Sequence, residues 1–160
     1  MTKIIIVDEN DNEIGVKERD GQGDYVIFRV TALWLTNSDG DILLAQRSLN
    51  KVNSPGKWGP AVAGTVEEGE TYESNIVKET EEEIGLSNIE FAKGPKIFNQ
   101  TGPLKTYWCQ YFMAVIDKKA EDFIIDKVEV EQVKWFKKEY LKKDFGEHPE
   151  NYISSIKHFL

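Results

Sequence analysis

Apolar and polar residues along this chain fall into short blocks whose period alternates between two and nearly four. Residues 4–7, Ile-Ile-Ile-Val, are a short β-rich run, and the polar stretch 8–13 after them reads as a turn. Residues 25–35, YVIFRVTALWL, are rich in β-branched and aromatic side chains and predict a long strand. Asn37-Ser38-Asp39-Gly40 is a turn signal, so the strand expected at 41–46 folds back as a β-hairpin. A loop is expected over 48–59, with Pro55-Gly56 as its breaker, before a short buried strand at 60–64. The period then lengthens. Tyr72, Ile76, Thr80 and Ile84 recur every four residues and, with Val77 nearby, predict a helix over 72–84. Thr71 is placed to cap its start and Gly85 to end it. Strands are expected at 89–100 and 105–117 around the turn Thr101-Gly102-Pro103, and again at 128–136. A short helix at 137–143 follows, then an amphipathic helix at 150–160 with Tyr152, Ile153, Ile156 and Phe159 on one face. Several strands, one central helix and a terminal helix, with no repeat or linker, predict a single α+β domain over residues 1–160.

Composition narrows the class. With 40% hydrophobic and 30% charged residues in 160, the chain is too apolar for disorder and long enough to bury a core without staples. A lone cysteine, Cys109, excludes an internal disulfide framework and suits a reducing compartment. The apolar run at 4–7 is too short for a signal peptide, and no run approaches a membrane span, so a cytoplasmic protein without a membrane partner is expected. A net charge of −8 and the lack of a basic stripe argue against a nucleic-acid polymer as partner.

The negative charge is concentrated. Residues 67–78 hold four glutamates and residues 79–83 hold four more. At about 3.6 residues per turn, Glu79, Glu82 and Glu83 share one helix face, adjacent to the apolar series. Such crowding is unfavourable by a few tenths of a kcal/mol per exposed pair, roughly. A hard divalent cation offsets it, because Mg²⁺ takes oxygen ligands and shares its shell with substrate phosphates. The helix alone reads equally as a metal site or as a solvated acidic stripe.

Its flanks decide between the two. Gly64, Glu70, Lys78, Glu79, Thr80, Glu82, Glu83, Gly85 and Leu86 stand in the frame G-x5-E-x7-R-E-U-x-E-E-x-G-U, where U is a bulky aliphatic. This stretch, residues 64–86, resembles the Nudix box, and seven of nine specified positions agree. Lys78 stands in place of arginine and Thr80 in place of the aliphatic. The resemblance implies the Nudix fold, an α/β/α sandwich around a mixed β-sheet. It implies hydrolysis of a nucleoside diphosphate derivative. It implies Glu79, Glu82 and Glu83 as ligands of Mg²⁺, or of Mn²⁺ in its place, with one or more of them also orienting or deprotonating water. The carbonyl of Ala63 is implied as a further ligand, and Glu70 as the partner of the box's basic residue. Gly64, Lys78 and Gly85 are structural in this frame. Lys78 keeps the charge but lacks arginine's planar fork, so its tie to Glu70 is expected to weaken. Thr80 is expected to lower stability slightly.

Outside the box, Glu129 lies six residues before Trp135, where Nudix chains commonly carry an acid, and is the candidate fourth acidic ligand. The segment ILLAQRSLNKVNSPGKWGPAVAG resembles the Nudix branch containing isopentenyl diphosphate isomerase, in which an Arg and a Lys contact the substrate diphosphate. Arg47 and Lys51 match that pair. The isomerase's cysteine and histidine fall on Ala63 and Thr65, which cannot move a proton. Trp34, Trp58, Tyr107 and Trp108 read as core or as stacking surface, and His148 and His158 carry no pattern. The expected function is Mg²⁺-dependent hydrolysis of a diphosphate bond in a nucleoside diphosphate derivative or related small molecule. Isomerase-like activity and a non-catalytic diphosphate-binding Nudix domain are the alternatives. A homodimer is open by analogy with relatives.

Overall fold

The structure is a computed structural model that describes residues 2–19, 25–102 and 105–160. Among the described residues nine strands form one mixed sheet: β1 Lys3–Val7, β2 Glu13–Glu18, β3 Ile27–Thr36, β4 Ile42–Arg47, β5 Trp58–Pro60, β6 Val62–Thr65, β7 Ala92–Gly102, β8 Lys105–Val115 and β9 Val130–Phe136. Two α-helices, α1 Tyr72–Ile84 and α2 Lys138–Glu147, join them. The ten-residue β3 is the spine. Along one edge it takes β1, β6 and β4 in turn, all antiparallel, and along the other it runs parallel to β8 from Ile27–Thr106 to Thr36–Val115.

Strand alternation sorts β3 onto two faces. Leu33 and Leu35, with Leu43 of β4, pack against Ile76 and Ile84 of α1. Trp34, with Ile42 and Leu44 of β4, packs against Leu141 of α2 and against Tyr152 and Ile156. One helix therefore covers each face, which is the α/β/α arrangement expected from the box.

The helix expected at 72–84 has those bounds. Thr71 and Ser74 form a reciprocal capping box, and Gly85 ends the helix at φ 70°, where only glycine is unstrained. Its buried face holds Asn75, Ile76, Thr80 and Ile84, while Val77, expected near that face, is exposed. The hairpin between β3 and β4 also forms.

Three expectations are corrected. The turn expected at 8–13 stops short of Glu13, which opens β2, a strand for which no element was expected at 14–18; β2 is exposed along almost its whole length, so no burial pattern marks it. The buried strand expected at 60–64 is two short strands, Trp58–Pro60 and Val62–Thr65, parted at Ala61. The helix expected at 150–160 is two 3-10 turns, Pro149–Asn151 and Ser154–Phe159. Between them Tyr152 is extended and bridges to Trp58, and the Ile153 N–H bonds the Trp58 carbonyl at 2.8 Å. That tertiary bridge outcompetes the local helical period, although Tyr152 and Ile156 still reach the core. The expected turn at Thr101-Gly102-Pro103 falls partly outside the described residues.

A charged knot ties the N-terminal turn to the rest. Asp11 is 5% exposed and accepts from Arg29 Nε at 2.7 Å, Lys96 Nζ at 2.8 Å and the Tyr72 hydroxyl at 3.0 Å. It joins the β1–β2 turn to β3, β7 and the start of α1.

Thr80 is fully buried and its hydroxyl has no hydrogen-bond partner. A buried unsatisfied hydroxyl costs about 1–3 kcal/mol. Thr80→Val, which keeps the shape and removes the hydroxyl, should therefore raise stability by about 1 kcal/mol in urea unfolding; an unchanged midpoint would show that the hydroxyl finds a partner in solution.

Candidate active site

A cleft opens where the central hairpin parts. β3 and β4 pair only at Leu35–Leu43 and Thr36–Ile42, after which β6 takes the edge of β3 while β4 turns to β5 and β9. The space between is about 550 Å³. Phe28, Val30 and Ala32 of β3 and Tyr107, Cys109 and Tyr111 of β8 line its floor. Ala63, Gly64, Glu83 and Glu129 line one end, and Arg47, Lys51 and Lys105 are on its walls.

The acidic end is built by pressing α1 onto β6. Asn75 is fully buried just past the first turn of the helix, an unfavourable place for it unless its amide is used. It donates to the Thr65 carbonyl at 3.1 Å and to Glu70 Oε1 at 3.0 Å, and accepts from the Thr31 hydroxyl at 2.5 Å. Glu70 Oε1 also accepts the Glu67 N–H at 2.8 Å, and Glu70 Oε2 lies 2.8 Å from Lys78 Nζ. Lys78 reaches Glu67 at 3.1 Å and Glu79 at 3.6 Å as well. The single ammonium thus spreads over three carboxylates instead of gripping one with a fork. Against the desolvation of its site, bonds from Lys78, the Glu67 amide and Asn75 hold Glu70 below the usual carboxylate range. Lys78 in turn is held well above the usual lysine range, because Glu70 and Glu67 outweigh desolvation.

This clamp brings Glu79 onto the backbone of Gly64. A Cβ on Gly64 would lie 2.5 Å from Glu79 Cγ and 2.6 Å from its Cδ. The need for glycine here is the close approach of a side chain, since no left-handed φ is involved. Register aims the neighbouring carbonyl. In an antiparallel ladder alternate residues turn both N–H and C=O to the partner. The Val66 N–H bonds the Arg29 carbonyl at 2.9 Å, and Gly64 opposes Thr31, so Thr65 and Ala63 face away from β3. Asn75 takes the Thr65 carbonyl, and the Ala63 backbone meets Glu83.

Glu79 and Glu83 lie one turn apart on the same helix face, and each carboxyl bears on the other. Desolvation, then the neighbouring Glu79 carboxyl and its charge, raise Glu83 well above the usual carboxylate range. Desolvation also raises Glu79, with Glu82 adding repulsion and Lys78 opposing it. Glu82 is exposed on the same face. Across the gap, the turn carrying Glu129 is fixed at both ends: Asp126 N–H bonds the Glu83 carbonyl at 3.0 Å, and Ser48 N–H bonds the Glu129 carbonyl at 3.1 Å. Glu129 Oε2 lies 2.5 Å from Lys51 Nζ. Arg47 donates its Nε to the Asn53 carbonyl at 2.8 Å, which closes the 48–57 loop and leaves its remaining donors at the cleft wall.

The donors at this end are carboxylates and a carbonyl, the oxygen set that suits a hard divalent cation. As they stand, no three acidic, imidazole or thiol groups among the described residues enclose one point. The physical reason is local: Glu82 remains in solvent, and Lys51 holds Glu129 away from Glu79 and Glu83. The fold gathers Glu79, Glu83, Ala63 and Gly64, with Glu129 and Lys51 facing them and Arg47 on the adjoining wall. Pattern reading missed Asn75, Glu67 and Lys105. An asparagine inside an otherwise well-formed helix was the available signal for the first; Glu67 lies within the box at a position its frame leaves unspecified, and Lys105 comes from a strand distant in sequence. Trp34 is buried against Phe159 and Trp108 packs on Phe98, whereas Tyr107 alone of the four expected aromatics lines the cleft.

A mixed sheet sandwiched by two helices, with a glutamate helix seated on a glycine strand beside a cleft, defines the architecture of the Nudix proteins. The NUDIX domain profile matches residues 27–156, and the chain belongs to this family. It is 33% identical over 117 residues to an uncharacterised Nudix hydrolase of Pseudomonas aeruginosa, a match covering 69% of this chain and 66% of that one. It is 32% identical over 85 residues to the isopentenyl-diphosphate Δ-isomerase of Citrobacter koseri, covering 52% of this chain and 47% of the isomerase. The chain thus spans between about half and two thirds of these relatives. The crystal structure of the DR0079 protein from Deinococcus radiodurans superposes with a TM-score of 0.78 at 21% identity, covering 91% of this chain and 89% of that one, which shows the shared fold.

Two outcomes follow from the acidic end. Gly64→Ala should lower stability by about 1–3 kcal/mol, the usual range for overpacking a filled site, and should shift Glu79 in a crystal structure of the variant; an unshifted Glu79 and unchanged urea midpoint would refute the close approach. In metal-free buffer, Glu83→Gln should melt higher than the parent by a margin that grows as pH rises above 4.5, the value Glu83 has when unfolded. The folded state holds the Glu83 proton more tightly than the unfolded one, so rising pH draws the parent toward unfolding until the folded group ionises. A margin independent of pH contradicts the half-buried acid pair.

Proposed function

We propose that this chain is a Mg²⁺-dependent pyrophosphohydrolase acting on a nucleoside diphosphate derivative or related small molecule. The observation that carries this reading is the acidic pair Glu79–Glu83 pressed against the Gly64 strand, with the Ala63 backbone turned to it, at one end of a cleft with cationic walls. Glu79, Glu82, Glu83 and the Ala63 carbonyl would hold the cation, with Glu129 joining once Lys51 releases it. When bound, the cation neutralises diphosphate charge and lowers the pKa of a bound water. Arg47 and Lys51 grip the phosphoryl oxygens, and the exchange of Glu129 for substrate on Lys51 keeps that ammonium paired throughout. Glu70 and Lys78 touch no reacting atom; they hold the loop over 64–70 to the helix, so the acids stay in register with the strand. One of the three box glutamates accepts the proton of the attacking water. We place the protein in the cytoplasm as a single domain that takes a small-molecule partner rather than a nucleic-acid polymer.

The isomerase alternative is weakened at the same place. Ala63 and Thr65 offer no proton donor, and Cys109 on the cleft floor is a buried thiol pushed up to about 12 by desolvation. It stays neutral and behaves as a small apolar side chain.

Glu79→Gln, Glu82→Gln and Glu83→Gln should each lower kcat/KM by roughly a hundredfold or more while the fold persists. Mg²⁺ titration of each variant sorts their roles: a ligand loses affinity for the ion, whereas the base loses turnover alone. Release of phosphate or nucleotide from a diphosphate panel with Mg²⁺ or Mn²⁺ tests the whole reading, and binding without release points to a non-catalytic domain.

A further inference from the structure

Residues 152–159 give up the helix that their spacing predicts, and in doing so they cross the cleft. Tyr152 is buried and extended, its backbone bridges Trp58, and the Ile153 N–H bonds the Trp58 carbonyl at 2.8 Å. Gly59 of β5 provides the seat for Ile153. A Cβ on Gly59 would lie 2.9 Å from Ile153 Cγ1 and 3.4 Å from its Cβ. Further on, Phe159 stacks on Trp34 with ring centres 4.6 Å apart and meets Tyr111 of β8 edge-on at 4.9 Å. The segment therefore runs from β5 to β8, and Ile153 and Ser155 line the cleft along the way.

This wall differs in charge from the one that carries Arg47 and Lys51. Gly59, Pro60, Ile153, Ser155 and Tyr111 line its side of the cleft, and none of them is charged. It also stands close to the acids. Ala63 pairs with Ala32, and Ala32 lies level with Tyr111, so two strand spacings, about 10 Å, separate the Ala63 strand from Tyr111. A group bonded directly to a diphosphate at the acidic end comes within that reach. The core on this face is filled by Tyr152 and Ile156, on either side of Ile153. Ile153 itself is half-buried and faces the cleft, so its side chain can change without emptying the core.

We infer that residues 152–159 form the wall that selects the organic group bonded to the scissile diphosphate, that this group is uncharged, and that Ile153 sets its size. Ile153 is then a specificity-determining residue, placed by the Trp58 carbonyl and by the bare backbone of Gly59. The inference rests on the proposed diphosphate site for its orientation, and binding alone tests it.

The probes are methylenediphosphonate, whose bridge cannot be hydrolysed, and its methyl, butyl, 3-carboxypropyl and 1-naphthylmethyl monoesters. Each is titrated calorimetrically with Mg²⁺ into the full chain. The butyl ester should bind about tenfold or more tightly than the 3-carboxypropyl ester, because one buries apolar surface where the other strips water from a charge. Ile153→Ala should raise the ratio of naphthylmethyl to methyl affinity about tenfold, and Ile153→Phe should lower it about as much. Ile153→Val should move the ratio in the same direction as Ala, by less. Affinity for methylenediphosphonate itself should stay within about twofold in all three variants. A ratio that neither Ala nor Phe moves would overturn the inference, as would a carboxylated ester that binds as well as the butyl ester. Variants that weaken every probe alike would also overturn it, since that is what a merely structural segment predicts. Turnover is measured separately on the diphosphate panel: a chain whose ratio follows residue 153 but which hydrolyses nothing retains this wall and loses the hydrolase reading.

Discussion

The acidic end of this protein depends on how closely α1 can lie against β6. Helices and strands ordinarily keep a side chain's thickness between their backbones, and here that spacer is missing at Gly64, so the Glu79 side chain occupies the place of a Cβ. Such an approach is held only if polar groups along the seam are satisfied. Asn75 does this by filling its acceptor and both donors inside the seam, on Thr31, Thr65 and Glu70. Glu70 and Lys78 then fasten the connecting loop, and the caps at Thr71 and Gly85 fix the helix length. Moving any one of these changes where Glu79 and Glu83 point.

The same closeness creates an electrostatic debt. Two carboxylates partly withdrawn from water beside each other are unfavourable, and desolvation with the neighbouring Glu79 pushes Glu83 well above the usual carboxylate range. Lys51 on Glu129 across the gap, and Lys78 on three acids behind it, keep the rest of the negative charge paired. A site prepared in this way is unstable in itself and becomes favourable when positive charge enters it, which is the ordinary compromise between stability and function. The cleft beyond has the opposite sign, although the chain is acidic overall.

Much of this was readable from the chain. The helix at 72–84, its caps and its buried series follow from spacing alone, because a helix is a local structure whose period is written in neighbouring residues. The box added the partnership of Glu70 with the basic residue, since both lie within one continuous segment. What the pattern missed has two causes. β2 has no buried face to leave a period, and Val77 faces solvent although its neighbours suggested packing, so exposure erased the signal at both. The C-terminal segment gave up its helix to bridge Trp58, a partner distant in sequence.

By itself, then, the sequence determined the glutamate helix, the glycine it needs, the loop acid that ties down its lysine and the family to which these belong. Only the tertiary structure decided which glutamates lean onto the glycine strand and which stay in solvent, and that Glu129 and Lys51 face each other. The physical reason is that local spacing fixes dihedral angles and helix faces, whereas burial and charge proximity arise where β3, β4, β6 and β8 meet. That meeting depends on β3 having two edges and ten residues to share among four partners.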